Sequence, residues 1–205
     1  MKPIIFSTEM VRAILDGQKT QMRRVMKHQP VGEVRQDSAG DYGEDYGGGI
    51  TYLKPPYKPG NVLYVKEAFT DTMMTIRPEY LYKADPIFDD CAQCDLGWDW
   101  SSAHFMPRQA ARIFLKVTSV KAERLNDISA DDAKAEGSYL DRCECLPRSK
   151  DKTPIDKLMV LTNCHIHGHE FKHIWNSTYA KHLEYSWEKN PWVWVIRFEI
   201  TEAGK

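Results

Sequence analysis

The sequence feature that most constrains the fold lies near the end of this chain of 205 residues. From residue 192 to residue 200, large apolar side chains occupy every second position: Trp192, Trp194, Ile196, Phe198 and Ile200. A period of two is typical of a β-strand, because successive side chains of a strand point to opposite faces. A strand of this kind must pair with others, so the sequence predicts a sheet whose remaining strands lie earlier in the chain.

The remaining predicted elements are shorter. Strands are expected over residues 4–6, 21–25, 62–69, 80–83 and 112–124. Two helices are expected to begin after Ser7 and Ser129, which are typical N-cap residues, and to end at Gly17 and Gly137. A third helix is expected near residues 169–180. Several strands, short helices and long loops predict an α+β fold with a curled, barrel-like sheet.

The overall charge identifies no ligand, but its distribution is uneven. The chain contains 28 Lys and Arg against 29 Asp and Glu, which gives a net charge of −1 and does not indicate a nucleic-acid binder. Residues 1–30 contain six basic and two acidic residues, whereas residues 31–50 contain one basic and five acidic residues. The second segment is also rich in glycine, so we expect a mobile acidic loop beside a basic element.

The hydropathy of the sequence predicts a location. No apolar run approaches the roughly 18–20 residues that span a bilayer. The N-terminal residues lack the long apolar stretch of a signal peptide. We therefore expect a cytoplasmic protein without a membrane partner; the oligomeric state is not indicated.

The basic segment that follows the first predicted helix is the most informative part of the sequence. Lys19, Arg23 and Arg24 fall within six residues on an extended stretch. On a strand, Lys19, Gln21 and Arg23 share one face and Thr20, Met22 and Arg24 share the other. Cations placed after a tight turn can contact a phosphate or a base edge. The alternative is a solvated basic edge strand, where lysine discourages aggregation.

Several motifs resemble the ASCH (activating-signal-cointegrator homology) family. Gly17-x-Lys19-x-x-Met22-x-Arg24 is similar to its GxKxxExR signature. The ordered segments that begin at Pro59, Met106, Asp127 and Asn190 resemble the PGDxLWVRE, MPRWAARI, DIS…AxxEG and C-terminal strand motifs of larger phage and prophage members. The resemblance covers most of the chain as a single domain, residues 1–205. The exceptions are insertions near residues 28–58, 85–105 and 138–168, two of which carry the cysteines.

The resemblance implies a PUA-like curled barrel with peripheral helices and a cationic cleft. Its ligand would be a nucleotide or a base, possibly modified, in RNA or DNA, and unstacked bases are bound by stacking and by hydrogen bonds to their edges. By this resemblance, we expect a ligand-binding set of Lys19, Arg23, Arg24, Tyr64, Glu67 and Glu136. Binding without turnover is the leading hypothesis. A glutamate before a helix-ending glycine is otherwise a common surface residue.

Catalysis is the alternative that the resemblance raises. Some small family members resemble an amidohydrolase that removes the acetyl group of 4-acetylcytidine with a lysine, a threonine and a glutamate. The lysine and glutamate would be Lys19 and Glu136, but Met22 stands at the threonine position, and a thioether cannot act as an oxygen nucleophile. Thr20 faces the other way from Lys19 on a strand. A ribonuclease, or a zinc-stabilised interaction module of phage development, are further alternatives.

The cysteines predict a structural zinc site. All five lie in three places: Cys91-x-x-Cys94, Cys143-x-Cys145 and Cys164 with the nearby His165 and His167. Two thiolates at CxxC spacing can bind one tetrahedral ion. The expected ligands are Cys91, Cys94, Cys143 and Cys164, with Cys145, His165 and His167 as substitutes. A redox pair or free buried cysteines are the alternatives, and a catalytic zinc is disfavoured because four ligands leave no open position.

Overall fold

The computed structural model describes residues 1–38, 40–72, 79–86, 99–137 and 166–202. These residues form a mixed α+β structure in which sheets predominate and helices are few. Its strands are β1 (Lys2–Ile5), β2 (Gln21–Val25), β3 (Glu33–Gln36), β4 (Tyr42–Tyr46), β5 (Gly49–Leu53), β6 (Val62–Lys66), β7 (Phe69–Thr72), β8 (Glu79–Tyr82), β9 (Phe114–Arg124) and β10 (Trp192–Ile200). Its helices are α1 (Thr8–Leu15), α2 (Ala130–Ala135) and α3 (Ile166–Thr178).

The strands form three sheets. The largest has the order β1-β6-β9-β10-β2, the second has the order β3-β4-β5, and β7 pairs with β8. Within the described ranges no sheet closes into a barrel. The contacts divide the chain into two units, and β9 and β10 contribute residues to both. None of the helices in the described part is long and apolar enough to cross a membrane.

The first unit comprises residues 1–20, 57–119 and 197–205. In it β1 runs parallel to β6, with Ile4 opposite Val65, and β6 runs antiparallel to β9, with Leu63 opposite Leu115. These four side chains are buried and form part of its core. The start of α1 follows the sequence prediction, because the Ser7 hydroxyl accepts a hydrogen bond from the Met10 amide (3.4 Å).

The second unit comprises residues 21–56 and 120–196. Its core contains Leu125, Ala133, Phe171, Trp175, Val193 and Val195. Helix α2 begins where the Ser129 hydroxyl accepts a hydrogen bond from the Asp132 amide (3.1 Å), and it ends at Gly137, whose φ is 84°. Both features agree with the predicted capping residues.

The prediction of a mobile loop over residues 31–50 is wrong. This segment forms most of the antiparallel sheet β3-β4-β5, and the side chains of Tyr42, Glu44 and Leu53 are buried beneath it. Gly47 and Gly48 both have positive φ, 64° and 83°, which is the conformation of a two-residue hairpin turn between twisted strands. The glycines therefore make a turn here. Of the five acidic residues, Glu33 and Asp45 lie at exposed positions of the sheet, Asp37 and Asp41 lie between β3 and β4, and Glu44 is buried.

The predicted strand over residues 62–69 also differs, because the structure divides it into β6 and β7. The pairing explains the break. Strand β6 pairs with β1 and β9, whereas β7 pairs with β8, so the chain changes sheets between Lys66 and Phe69. The other predicted strands and the three helices are present, with ends shifted by a few residues.

Candidate functional site

Lys19 is positioned by the end of α1. The helix ends at Asp16, and Gly17 takes a φ of 72°, which turns the chain back on itself. The amides of Gln18 and Lys19 then both donate to the Ala13 carbonyl, each at 2.9 Å. The Lys19 residue is only 3% exposed, and its Nζ lies 5.8 Å from the centroid of the Phe6 ring. The backbone turn therefore holds a lysine in the interior of the first unit.

The residues of β2 and those before it alternate largely as predicted. Lys19, Gln21 and Arg23 are buried, whereas Thr20 and Arg24 are exposed. Met22 departs from the alternation, since it is buried as well. Strand β2 is an edge strand, but a solvated basic edge is wrong for Lys19 and Arg23, because neither side chain is exposed to water.

Arg23 and Glu136 are the two predicted site residues that the structure brings into direct contact. The Arg23 side chain has no exposed surface. Its Nη1 donates to Glu136 Oε1 at 2.9 Å, and its Nη2 donates to Glu123 Oε1 at 2.5 Å. Asp132 Oδ2 lies 3.7 Å from the same Nη2. One buried guanidinium thus holds two carboxylates and is approached by a third.

The surroundings of Arg23 complete this network. Its Cζ lies 5.7 Å from the centroid of the Phe171 ring, in the range of a cation–π contact. Its Nε is buried and has no hydrogen-bond partner among the described residues. Around Arg23 the carboxylates outnumber the guanidinium, and Glu123 also has Lys121 Nζ at 3.3 Å. The cluster is therefore rich in acceptors.

Glu123 was not predicted from the sequence, which carries little signal for it. A period of two places it on the face of β9 that holds buried Leu115 and Val117, but Ser119 and Lys121, which lie between Val117 and Glu123 on that face, are exposed. A buried glutamate needs an internal partner. The partner is Arg23, which lies 100 positions earlier.

Glu67 belongs to a separate network in the first unit. Its Oε1 and Oε2 accept hydrogen bonds from Arg112 Nε and Nη2, both at 3.0 Å, and Arg112 Nη1 donates to Asp85 at 2.5 Å. The Arg112 guanidinium also lies 3.9 Å from the centroid of the Tyr82 ring. Both carboxylate oxygens of Glu67 are thus already hydrogen-bonded to a protein side chain.

Burial sets the ionisation of this network. It raises the pKa of Glu67, although the hydrogen bonds and the charge of Arg112 offset part of the rise. For Arg112, burial acts to lower the pKa, but the hydrogen bonds and charges of Glu67 and Asp85 outweigh it and raise the pKa. Burial likewise raises the pKa of Tyr82.

Arg24 and Tyr64 are the more accessible members of the predicted set. Arg24 is exposed on β2 in the second unit, and Tyr64 is half-buried on β6 in the first, opposite Phe114. Tyr179 is a further aromatic residue that the sequence did not indicate. It stacks on Trp175 with ring centroids 4.5 Å apart. Burial raises its pKa, whereas the Val25 backbone and the charge of Arg24 act in the opposite direction.

The predicted zinc ligands fall outside the described part of the chain. This applies to Cys91, Cys94, Cys143, Cys145, Cys164 and His165, and His167 lies in α3 at a position whose side chain is not described. Among the residues that are described, no three His, Cys, Asp or Glu side chains come together as metal ligands. The zinc site stays a prediction.

Each unit contains polar groups in fixed positions. The first unit contains the buried amine of Lys19 and the carboxylate of Glu67, both of whose oxygens are hydrogen-bonded to Arg112. The second contains the carboxylate of Glu136, which is hydrogen-bonded to Arg23; the exposed Arg24 follows Arg23 in the sequence. Such fixed donors and acceptors can recognise a polar ligand without rearranging. Comparison with models of protein families, with characterised proteins and with solved structures found no match to this chain.

Proposed function

We propose that this chain binds a nucleobase, in a nucleotide or in a nucleic acid, as its resemblance to ASCH domains implies. The observation that carries the proposal is the burial of the motif residues. In the described part of the chain six ionisable Lys, Arg, Asp or Glu residues are buried: Lys19, Arg23, Glu44, Glu67, Glu123 and Glu136. Four of them were singled out from the motifs. Lys, Arg, Asp and Glu side chains are rarely buried unless they are paired, and buried ionisable groups are concentrated at functional sites.

The buried residues divide into two roles. By the resemblance, Lys19 of the first unit is proposed as a hydrogen-bond donor to the ligand, and Glu136 of the second unit is proposed as an acceptor for an exocyclic amine. Arg23 is proposed to hold Glu136 in place, since its guanidinium is fully enclosed and is bonded to that carboxylate at 2.9 Å. The exposed neighbour Arg24 is then the cation proposed to contact phosphate.

A PUA-like fold is part of the same proposal. The sheet-dominated α+β architecture supports it, because β1, β6, β9, β10 and β2 form one five-stranded sheet with helices between its strands in the chain. The motif that carries the resemblance also has the local geometry that its glycine requires. Gly17 has a φ of 72°, which an L-residue rarely adopts.

Binding is preferred to hydrolysis because of position 22. An amidohydrolase of the resembled kind needs a hydroxyl there, and Met22 is a buried thioether. Thr20 is the nearest hydroxyl along the strand, and it is exposed on the face opposite to buried Lys19. No described contact therefore favours turnover.

The test is calorimetric titration with a panel of nucleosides and their 5′-monophosphates, including cytidine and 4-acetylcytidine. The variant is Lys19→Met, which keeps the length of the side chain and removes the amine. The matched control is Lys116→Met, because Lys116 is a half-exposed lysine on β9 of the same unit. We expect the Kd of the best ligand to rise about tenfold or more in Lys19→Met and to stay unchanged in the control.

The possible results separate the hypotheses. If no compound of the panel binds, or if both lysine variants weaken binding equally, the proposal is wrong. Acetate release from 4-acetylcytidine that is lost in Lys19→Met would replace it by the hydrolase alternative. A second variant, Arg24→Met, tests the proposal if Lys19→Met does not fold. We expect it to weaken the binding of the monophosphates more than that of the nucleosides, since only the monophosphates carry phosphate.

A further inference from the structure

Strand β5 has an unpaired edge whose geometry follows from its hairpin. The two-residue turn at Gly47 and Gly48 makes Tyr46 and Gly49 the first hydrogen-bonded pair of β4 and β5. Hydrogen-bonded and non-hydrogen-bonded pairs alternate from there. The N–H and C=O groups of Ile50 and Tyr52 therefore point away from β4, and no other described backbone group bonds to them.

The side chains of the same two residues are also exposed. Ile50 is 68% exposed and Tyr52 is 63% exposed, and they share one face of the sheet. Tyr46 is exposed as well, but it alternates with Asp45 and lies on the opposite face, and Val31 precedes β3. Isolated exposed apolar residues are ordinary, but Ile50 and Tyr52 lie side by side along an unpaired edge, where they are available for contact with an added strand.

The other edge of this sheet is protected and provides a contrast. Strand β3 carries Glu33 and Arg35, whose side chains form an ion pair at its surface. Charged side chains at an edge discourage pairing with another strand. Strand β5 has no charged residue and no proline within its bounds, and Lys54 and Pro55 come only after it ends. The sheet thus leaves one edge open.

The charges around the open edge decide what it can bind. Asp45 lies directly opposite Ile50, and Glu33 lies opposite Asp45, so two carboxylates share the exposed face with Ile50 and Tyr52. Carboxylates placed opposite one another repel unless a cation lies between them. Arg35 is ion-paired with Glu33 and also interacts electrostatically with Asp45, but its single positive charge balances only one of the two negative charges.

We propose that the β5 edge binds an extended, basic polypeptide segment of a partner protein as an added strand. Backbone hydrogen bonds to Ile50 and Tyr52 supply the pairing, as in other cases of β-strand addition. A lysine or arginine side chain of the added strand, placed opposite Ile50, extends across β5 towards Asp45 on β4, whereas Glu33 lies one strand further away, about 14 Å from the added strand. A second copy of this chain is disfavoured as the occupant, because it would bring the same acidic segment against itself, and nucleic acid is disfavoured by the carboxylates.

The test uses capped hexapeptides in which lysine alternates with Val, Ile, Phe or Tyr, and matched peptides with glutamate in place of lysine. Binding is followed by amide hydrogen exchange and by chemical shifts of the full-length protein. In the free protein the amides of Ile50 and Tyr52 exchange rapidly, whereas that of Thr51 is protected. A bound lysine peptide protects Ile50 and Tyr52, and its glutamate counterpart binds about tenfold more weakly or worse.

Two variants test separately the backbone hydrogen bonds of β5 and the charge of Asp45. Tyr52→Pro removes an N–H that bonds to no other strand, so the sheet should persist while peptide binding is lost. Asp45→Asn leaves the backbone of the β5 edge unchanged and should lower the affinity for the lysine peptides several-fold. This variant still tests the proposal if Tyr52→Pro does not fold. The proposal is overturned if lysine and glutamate peptides bind alike, if none of them protects the two amides, or if the protein dimerises through β5 at the concentrations used.

Discussion

Replacing Arg23 by Met tests the buried network of the second unit directly. The Arg23 side chain is fully enclosed and is bonded to Glu136 and Glu123 at 2.9 and 2.5 Å. Methionine fills a similar volume without a charge, so the substitution removes the cation and leaves only a small cavity. What remains is the cost of leaving buried carboxylates without their partner.

The expected loss follows from the environment of each carboxylate. Removing one member of a buried ion pair destabilises a protein by about 3–5 kcal/mol, because the other charge stays buried without compensation. Glu136 has a side chain only 6% exposed, whereas Glu123 keeps Lys121 at 3.3 Å. Both carboxylates lose a partner, and because Glu123 keeps Lys121 we expect a loss at the lower end of this range, about 3 kcal/mol. That is a large fraction of the ~5–15 kcal/mol typical of a folded domain.

The assay is urea unfolding followed by tryptophan fluorescence, with Arg24→Met as the matched control. Arg24 is the exposed neighbour on the same strand, so its substitution should change the free energy of unfolding by less than about 0.5 kcal/mol. Adding Glu136→Gln to Arg23→Met should restore part of the lost stability rather than add to the loss.

Three results would refute this reasoning. A loss below about 1 kcal/mol in Arg23→Met would mean that water or another group replaces the guanidinium. Equal losses in Arg23→Met and Arg24→Met would show that the alternation of β2 does not separate the two arginines. A full additive loss on introducing Glu136→Gln would mean that Arg23 and Glu136 are not coupled.

Two further predictions concern ionisation and a single hydrogen bond. Because burial raises the pKa of Glu67 above its usual 4.5, its protonated form stabilises the folded state fully below that pH, and the stabilisation is lost as the pH rises through the raised pKa. Glu67→Gln should therefore flatten the fall in unfolding free energy above pH 4.5, measured in a urea and pH series; parallel curves for both proteins would contradict it. The Tyr42 hydroxyl donates to the Val120 carbonyl at 2.8 Å, so Tyr42→Phe should cost about 0.5–1.5 kcal/mol by the same assay, whereas the exposed Tyr52→Phe should cost almost nothing. Equal effects at the two tyrosines would show that the Tyr42 bond contributes nothing.

The elements that the sequence predicts well are those with local signals. Ser7 and Ser129 cap helices with their own hydroxyls, and the alternation from residue 192 to residue 200 produces β10. Each of these signals depends on residues only a few positions apart, so it can be recognised in the sequence without knowledge of the tertiary structure. The burial of Lys19 and Arg23 follows the alternation predicted for residues 19–24, but the pattern alone does not say which face of the strand is buried.

The elements that the sequence does not predict depend on distant partners. Acidic and glycine-rich residues 31–50 have the composition of a loop, yet Glu44 turns inward and accepts hydrogen bonds from the Val31 and Gly32 amides at 2.6 and 2.9 Å. These bonds, with that from His28, hold its pKa below the usual range, the Gly32 amide contributing most. A buried carboxylate that is satisfied mainly by backbone amides leaves little mark in composition, since of these three partners only His28 contributes a side chain.

Arg23 and Arg24 are adjacent on β2, but their side chains have different surroundings. In the resembled motif, position 22 carries an acid; here it carries Met22, which is buried, and a carboxylate there would need a partner of its own. The acids that neutralise Arg23 come from β9 and from the end of α2, so Arg23 is already satisfied within the protein. Arg24 is exposed to solvent, which agrees with its proposed role as the cation that contacts phosphate. The same substitution made at each position should consequently have different effects. At residue 23 it lowers the free energy of unfolding and, through the loss of its bond to Glu136, also weakens the proposed binding of a base; at residue 24 it raises the Kd for a phosphate-bearing ligand and leaves the free energy of unfolding almost unchanged.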